Sequence, residues 1–184
     1  VRSRHVQVHL FDGYWEDIGT IRAFYEANVS LAGENPPFEL HHIESPIYSR
    51  ARFLPPTKFA GATIHRSLIA DGCEIGSGAV IENSLVGLRC VIGQNVTIRN
   101  SVLMGADVYE AESDLARNGK PPLGIGAGSH IESAIVDKNC RIGKGVRVHN
   151  ERGITDGEDN DLCVVRDGIP VVVKDAVLPD HWRL

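Results

Sequence analysis

The stretch Ile75–Ile98 reads IGSGAVIENSLVGLRCVIGQNVTI, and its branched aliphatic residues return at steps of six, five and six positions. One full round of three steps covers seventeen positions, a period that fits neither a helix nor an alternating strand. The series runs through Ile64, Ile69, Ile75, Ile81, Val86, Ile92, Ile98 and Leu103. A second block repeats it at Ile125, Ile131, Val136, Ile142 and Val148. Upstream, Ile47 precedes Ile64 by one such round.

This repeat predicts a mainly β solenoid, a left-handed parallel β-helix of the hexapeptide-repeat kind. A step of about six residues holds one short strand and one tight turn, so three steps make a triangular coil with one aliphatic residue pointing inward from each face. Successive coils stack about 4.8 Å apart through parallel pairing. An ordinary antiparallel sheet is the alternative, but its two-residue alternation is absent.

Glycine and asparagine recur where this coil needs its corners. Both residue types adopt left-handed backbone conformations at low cost, and asparagine also hydrogen-bonds its own backbone. The predicted corner residues are Gly72, Gly76, Gly78, Gly93, Asn95, Gly126, Gly128, Asn139, Gly143 and Gly145.

The segment before the repeat has a different pattern. Val6, Val8 and Leu10 alternate as in a half-buried strand. Thr20–Leu31 is predicted to be a helix with Thr20 as its N-cap and Gly33 as its C′ residue. We therefore divide the chain into a strand–helix segment, 1–32, a proline-rich linker, 33–60, and the β-helix, 61–184.

Two further features interrupt or close the solenoid. Residues 107–124 break the register and are expected to loop out as a solvated or subunit-contact segment, with a helical turn within Asp107–Ala116 closed by Asn118 and Gly119. Two β-branched runs flank Asp167 and Gly168, which predicts a hairpin that closes the solenoid.

Composition excludes several classes of function. The chain has 184 residues, a formal charge of -5 and a pI near 5.9, which argues against a nucleic-acid or anionic-membrane partner. It has no apolar run of about twenty residues and no signal-like start, so we expect no membrane span and a cytoplasmic location. The four cysteines lack CxxC spacing and are expected to be reduced, partly buried thiols rather than zinc ligands or disulfides.

Three histidines are candidates for chemistry on the solenoid itself. Hexapeptide solenoids include acyltransferases that use a histidine base, which makes His65, His130 and His149 candidates. No base-orienting pattern accompanies them in the sequence. A hexapeptide acyltransferase is therefore kept as an alternative function.

Several longer motifs carry a resemblance to a known family. FDGYWEDIGTIRAFYEAN, residues 11–28, resembles the closing segment of the nucleotidyltransferase domain in sugar-nucleotide pyrophosphorylases. PIYSRARFLPPTKF, GIGAGSHIESAIVDKNCRIG and VVVKDAVLP follow in the order found in glucose-1-phosphate adenylyltransferases, or ADP-glucose pyrophosphorylases. The resemblance spans nearly the whole chain. Other sugar-nucleotide pyrophosphorylases share the architecture without these runs and form a second alternative.

The resemblance implies a reaction and a metal. The family joins ATP and glucose 1-phosphate into ADP-glucose and pyrophosphate for glycogen and starch synthesis, with Mg²⁺ held by two aspartates. Asp17 matches the second of these and is the expected catalytic and metal-binding residue. A hard divalent ion suits this reaction because it neutralises charge on the phosphates.

The resemblance also implies allosteric regulation by a phosphorylated metabolite. Lys138 and Lys174 match the activator lysines of the family, and Arg52 matches an arginine of the same anion pocket. The family's glycine-rich phosphate loop, first metal aspartate and sugar-phosphate lysine have no counterpart in these residues. We therefore expect a C-terminal regulatory and oligomerisation fragment, inactive alone, from a homo-oligomer that is a tetramer by resemblance.

Overall fold

A computed structural model describes residues 5–111, 119–158 and 160–184 of the protein. These residues form three β faces around a shared interior, with one helix packed on the outside. Face A contains β1 (Lys58–Phe59), β4 (Glu74–Ile75), β7 (Val91–Ile92), β10 (Gly124–Ile125), β13 (Arg141–Ile142) and β17 (Val177–Leu178). Face B contains β2 (Thr63–His65), β5 (Val80–Glu82), β8 (Thr97–Arg99), β11 (His130–Glu132) and β14 (Arg147–Val148). Face C contains β3 (Leu68–Ile69), β6 (Leu85–Val86), β9 (Val102–Leu103), β12 (Ile135–Val136), β15 (Cys163–Arg166) and β16 (Ile169–Val172).

The predicted register is confirmed by strand pairing. On face B, Ile81 pairs in parallel with Ile98, and Ile98 pairs with Ile131. All three side chains have 0% of their surface exposed. Since each coil places one aliphatic residue per face into the same interior, their stacked columns form the core, and each such side chain contributes about 1.5–3 kcal/mol through burial.

The seventeen-residue spacing extends farther upstream than the coils do. Ile47 matches the spacing, yet it is 61% exposed and lies in no strand, within the segment predicted to be the linker. The first strand of the solenoid is β1 on face A, where Phe59 pairs with Ile75, slightly before the predicted start at residue 61. The correct spacing between two isoleucines is not enough to form a coil when the intervening residues, rich in proline, cannot supply the paired strands.

Two segments are looped out of the coils. Ile92 pairs with Ile125 rather than with a residue one regular coil later, so roughly a coil's length of chain leaves the solenoid there, as predicted. Val136 pairs with Val172, again far beyond the next regular position, so a second insertion precedes β16. The helical turn predicted in the first insertion falls mainly on 112–118, which lie outside the described residues.

The corner glycines have two different roles. Gly78 and Asn95 have positive φ values of 69° and 55°, which left-handed corners require. Gly126 is needed for closeness instead, because a Cβ there would lie 2.5 Å from the backbone of Gly143 in the next coil. A further corner column with positive φ, which we did not predict, comprises Arg66, Asn83, Asn100 and Ser133.

The predicted hairpin is confirmed. Strands β15 and β16 pair antiparallel, and Asp167 and Gly168 between them have φ values of 54° and 81°. Two successive positive φ values are typical of the type I′ turn that matches strand twist. Strand β16 also pairs in parallel with β12, so the hairpin attaches to the end of face C.

The helix α1 (Ile21–Ser30) connects the preceding segment to face C. The Thr20 hydroxyl accepts a hydrogen bond from the Ala23 amide at 3.1 Å, which confirms the N-cap. The helix ends at Leu31 in a right-handed conformation, so Gly33 is not its C′ residue. Its apolar side packs on Val102, Ile135 and Ile169 through Ile21, Phe24, Tyr25 and Val29.

The strand predicted before this helix does not form. Residues 5–19 contain no strand, and Val6, Val8 and Leu10 are 69%, 87% and 82% exposed. A strand needs a partner for its backbone groups, and no described segment pairs with this one. The described part of the predicted strand–helix segment therefore contains one short helix and no strand.

Candidate functional site

The corner between faces C and A brings the two predicted effector lysines together. Lys138 follows β12 by two residues, and Lys174 follows β16 by two residues, so they occupy equivalent positions of successive coils. The Asp175 amide donates to the Lys138 carbonyl at 2.9 Å, which holds the two turns in register. In the sequence, a whole coil and the second insertion separate these lysines. The stacking of β16 on β12 places them in neighbouring turns.

Asp107 forms an ion pair with Lys138 and is also influenced by the charge of Lys174. The Lys138 Nζ is 2.8 Å from Asp107 Oδ1, and the Asn139 amide nitrogen donates to Asp107 Oδ2 at 3.2 Å. The hydrogen bond from Lys138 lowers the pKa of the Asp107 carboxyl, with further lowering by Asn139 and by the charge of Lys174. Both lysines therefore act on one carboxylate at the base of the first insertion.

The same corner also carries negative charge. The Lys138 amide donates to Asp137 Oδ1 at 2.6 Å, and Asp175 occupies the left-handed corner position after Lys174. Two lysines thus face three carboxylates, those of Asp107, Asp137 and Asp175. An incoming anion gains most from the lysines if its oxygens replace those of Asp107 rather than add to them.

The structure does not bring Arg52 into contact with these lysines within the described residues. Arg52 is exposed on the linker, which meets the solenoid where the Pro55 carbonyl accepts from the Gly72 amide at 2.9 Å. Gly72 belongs to the same corner, three coils before Asn139, a distance of about 14 Å at the usual strand spacing. Arg52 is therefore near the same edge of the solenoid but toward its other end.

Arg89 is a cation of this edge that the sequence analysis missed. It occupies the left-handed corner position one coil after Gly72, and its guanidinium lies 5.8 Å from the ring centroid of Tyr109. The Tyr109 hydroxyl donates to the Gly72 carbonyl at 3.0 Å. A cavity of about 580 Å³ opens here, with Lys58 and Arg89 among its lining residues. Arg89 occupies the same coil position as Asn139, so aligning the coils by their register would have identified it.

Asp17 is exposed on the segment that leads into α1. Its Oδ1 accepts a hydrogen bond from the Gly19 amide at 3.1 Å, a local turn rather than a helix-dipole contact. Within the part of the chain that the structure describes, Asp17 belongs to no group of three possible metal ligands.

The outer surface of face B holds a cluster that sequence reasoning did not recognise. His130 Nε2 lies 2.8 Å from Glu132 Oε2, so His130 does have an orienting carboxylate, contrary to our expectation. The rings of His130 and His149 are 6.3 Å apart. The missed signal was the register, which pairs Ile131 with Val148 and so sets Glu132 beside His149.

The cysteines are buried inside the coils. Cys73, Cys90, Cys140 and Cys163 are all free thiols with at most 8% of their surface exposed. Burial raises the pKa of Cys140 to about 12 and that of Cys163 to about 11. These two thiols therefore stay protonated at neutral pH and act as small apolar core residues.

The fold and these corners define a class first: a parallel β-helix built from hexapeptide repeats. The family model described as the GLGC left-handed parallel beta-helix domain matches residues 52–182. The chain therefore belongs to this family, the C-terminal domain of glucose-1-phosphate adenylyltransferase. No helix among the described residues is long and apolar enough to span a membrane.

Proposed function

We propose that this chain serves the regulation and subunit assembly of a cytoplasmic enzyme that makes ADP-glucose and pyrophosphate from ATP and glucose 1-phosphate. Family membership supports the reaction. The observation that carries the regulatory part is the convergence of Lys138 and Lys174 on Asp107. Isolated lysines on a solenoid are usually solvated, whereas two at one corner form a site for a divalent anion.

The proposed ligand is a phosphorylated metabolite whose oxygens take the place of the Asp107 carboxylate. Each lysine ammonium then donates a charge-assisted hydrogen bond to phosphate. Displacing the Asp107 carboxylate also removes its hydrogen bond from the Asn139 side-chain amide, one of the two bonds that join the base of the first insertion to Asn139. Arg52 is kept as a proposed third cation, carried by the linker that reaches the same edge.

A physical connection toward the catalytic residues supports the proposed coupling. Strand β16 ends two residues before Lys174, and its Ile169 packs against helix α1. The Arg22 guanidinium on α1 donates to the Asp167 carbonyl in the hairpin turn. Asp17 lies three residues before the N-cap of this helix. We propose that effector binding at the corner changes the position of Asp17 through β16 and α1.

Asp17 is proposed as a Mg²⁺ ligand of the full-length enzyme. A single exposed carboxylate does not by itself form a Mg²⁺ site, and the described residues around Asp17 do not complete one. Mg²⁺ commonly binds through one or two carboxylates together with substrate phosphates. The metal would neutralise phosphate charge during nucleotidyl transfer, with Asp17 as one of its anchors.

We also propose that the solenoid mediates homo-oligomer formation, a tetramer by resemblance. Exposed apolar side chains on face A support this. Val91 on its outer surface is 38% exposed, and Phe59, which continues the inward column into the first coil, is 51% exposed at the open end of the solenoid. Light scattering after size-exclusion chromatography measures the subunit number. A monomer at micromolar concentration would contradict this part of the proposal.

Thermal unfolding with 3-phosphoglycerate and with fructose 6-phosphate tests the effector site. A ligand at about 100 times its Kd stabilises the native state by about 2.7 kcal/mol, which corresponds to a Tm increase of roughly 5–10 °C for a chain of this size. Lys138→Ala and Lys174→Ala should each remove this increase. Lys144→Ala is the matched control, because Lys144 is an exposed corner lysine on another edge.

Asp107→Asn should change phosphate affinity in the opposite direction to the lysine substitutions. If the ligand replaces the Asp107 carboxylate, removing that charge should tighten phosphate binding while the lysine substitutions weaken it. Equal Tm increases in the wild type and all three variants would refute the corner site. A Tm increase with acetyl-CoA alone would instead favour the hexapeptide acyltransferase.

A further inference from the structure

The outer surface of face B carries three potential metal ligands within one small patch. They are His130 and Glu132 on β11 and His149, which directly follows β14. The ligand atoms of the three side chains all lie within 4.8 Å of one another. Two neutral imidazole nitrogens and one carboxylate oxygen form a donor set that zinc and related divalent transition metals prefer.

The register explains why the three side chains converge. Successive residues of a strand point to opposite faces, so His130 and Glu132 both point outward while Ile131 is buried between them. His149 follows Val148, the pairing partner of Ile131, and therefore lies beside Glu132 in the next coil. The cluster is a product of backbone geometry, not of one flexible loop.

Neighbouring cations are engaged with other carboxylates. Arg99 pairs with Glu132 in the backbone register, yet its Nε lies 2.8 Å from Glu82 Oε2. Arg147 pairs with His130 in the register, and its nearest described carboxylate is Glu151 at 3.9 Å. The Glu132 carboxylate thus remains associated with His130 rather than with an arginine.

The burial of the cluster suits a bound ion. The side chains of His130 and Glu132 are 29% and 28% exposed, so the patch is partly shielded but open to an ion from solvent. Tyr25 on α1 also lies nearby, since the charge of Glu132 contributes to raising the pKa of Tyr25, mainly a result of burial. Three protein ligands would leave a fourth position for water.

We propose that His130, Glu132 and His149 bind one divalent transition metal ion of the zinc class. The ion would join β11 to β14, the last strand of face B. Beyond β14 the described chain contributes one bridge, between Arg147 and Arg183, so this strand has little pairing on its outer side. A metal ligated by β11 and by the residue that follows β14 would hold the end of face B closed.

Zinc titration of the metal-free chain tests the proposal, with free ions removed by a chelator and dialysis. Isothermal titration calorimetry should show one saturable site per chain. Glu132→Gln and His149→Asn should each weaken it by at least about 10–100-fold, the loss known for changes that only touch supporting partners of metal ligands. Zinc should raise the Tm of the wild type and not of these variants.

His65→Asn is the matched control, because His65 also points outward from face B but lies in an early coil, outside the cluster. A double change of His41 and His42 to Asn controls for the exposed histidine pair of the linker. Zinc affinity should be unchanged in both. Loss of binding in either control, or retention in both Glu132→Gln and His149→Asn, would overturn the proposal.

Cobalt binding provides a readout that does not depend on the variants folding. Co²⁺ in the wild-type chain should give visible absorption bands typical of four- or five-coordinate geometry, and zinc should displace them at one equivalent. The absence of a saturable zinc site, or a cobalt spectrum of the octahedral aqua ion alone, would refute the site. Neither experiment depends on the proposed effector function.

Discussion

The coils of the solenoid and the N-terminal segment, residues 5–57, use similar apolar residues with opposite results. Ile81, Ile98 and Ile131 have no exposed surface, whereas Val8 is 87% exposed. The coil residues have a partner one coil along the chain that supplies the next strand of the ladder, and residues 5–19 have none among the described residues. A strand pattern becomes a strand only where the chain also provides its neighbour.

The sharpest test of this difference compares two truncations of aliphatic side chains. Ile131→Ala removes a fully buried side chain between two coils and should lower the free energy of unfolding by about 2–5 kcal/mol. Val8→Ala removes an exposed one and should change it by less than about 0.5 kcal/mol. Urea denaturation followed by circular dichroism measures both. Similar losses would mean that the N-terminal segment has a packed environment.

A second test concerns the closeness of the coils. A Cβ at Gly126 would lie 2.5 Å from the Gly143 backbone, so Gly126→Ala should cost about 1–3 kcal/mol by forcing two coils apart. Gly157 lies in the second insertion, where a Cβ would meet Val165 at an ordinary 3.6 Å. Gly157→Ala should therefore change stability by less than about 0.5 kcal/mol in the same denaturation assay. An equally mild effect at Gly126 would contradict the close stacking.

A third test uses pH to probe burial inside the solenoid, the region that contains all four cysteines. Burial raises the pKa of Cys140 from 9.0 to about 12. Above pH 9 the unfolded chain loses this proton while the native state keeps it. The contribution of Cys140 to the free energy of unfolding is therefore fully present below pH 9 and is lost as the pH rises toward 12. The slope is about 1.4 kcal/mol per pH unit for one such thiol.

Urea denaturation at pH 8, 9 and 10 under reducing conditions measures this slope. Comparing the wild type with Cys140→Ala separates Cys140 from the other titrating groups, which both proteins share. The variant should show the smaller decrease between pH 9 and 10. Parallel pH profiles would argue that the Cys140 thiol is accessible to water.

The smallest expected effect is at the helix that joins the two regions. Thr20→Ala removes the hydroxyl that accepts the Ala23 amide and should destabilise α1 by about 1 kcal/mol. Hydrogen exchange should become faster in α1 and stay unchanged in the coils. Thr20→Ser keeps the hydroxyl and should resemble the wild type. Faster exchange throughout the coils would show that α1 is required for solenoid stability.

Periodic features were predictable because each depends on local spacing. The inward aliphatic series, the first insertion, the hairpin at Asp167 and Gly168 and the Thr20 cap are all confirmed. The strand predicted at Val6, Val8 and Leu10 is absent because a pattern of apolar residues does not reveal whether a pairing partner exists. The prediction of Gly33 as the C′ residue was wrong because the helix ends in a right-handed turn, one residue earlier than a glycine cap at Gly33 requires.

The candidate sites were only partly predictable. Lys138 and Lys174 were identified through family resemblance, and the structure adds Asp107, paired with Lys138, and Arg89 farther along the same edge. Glu132 escaped notice beside His130 because the histidines were examined singly. Folding the sequence into coils would have placed Glu132 next to His149.

By itself, the sequence determined the coil. A repeating round of six, six and five positions, with glycine or asparagine at many corners and an aliphatic residue on each face, leaves few other ways to bury the apolar side chains and pair the backbone. The tertiary structure decided which side chains are neighbours on the outer surface of the solenoid. Outward side chains contribute little to the choice of fold, so only the stacking of coils sets Lys138 beside Lys174 and His149 beside Glu132.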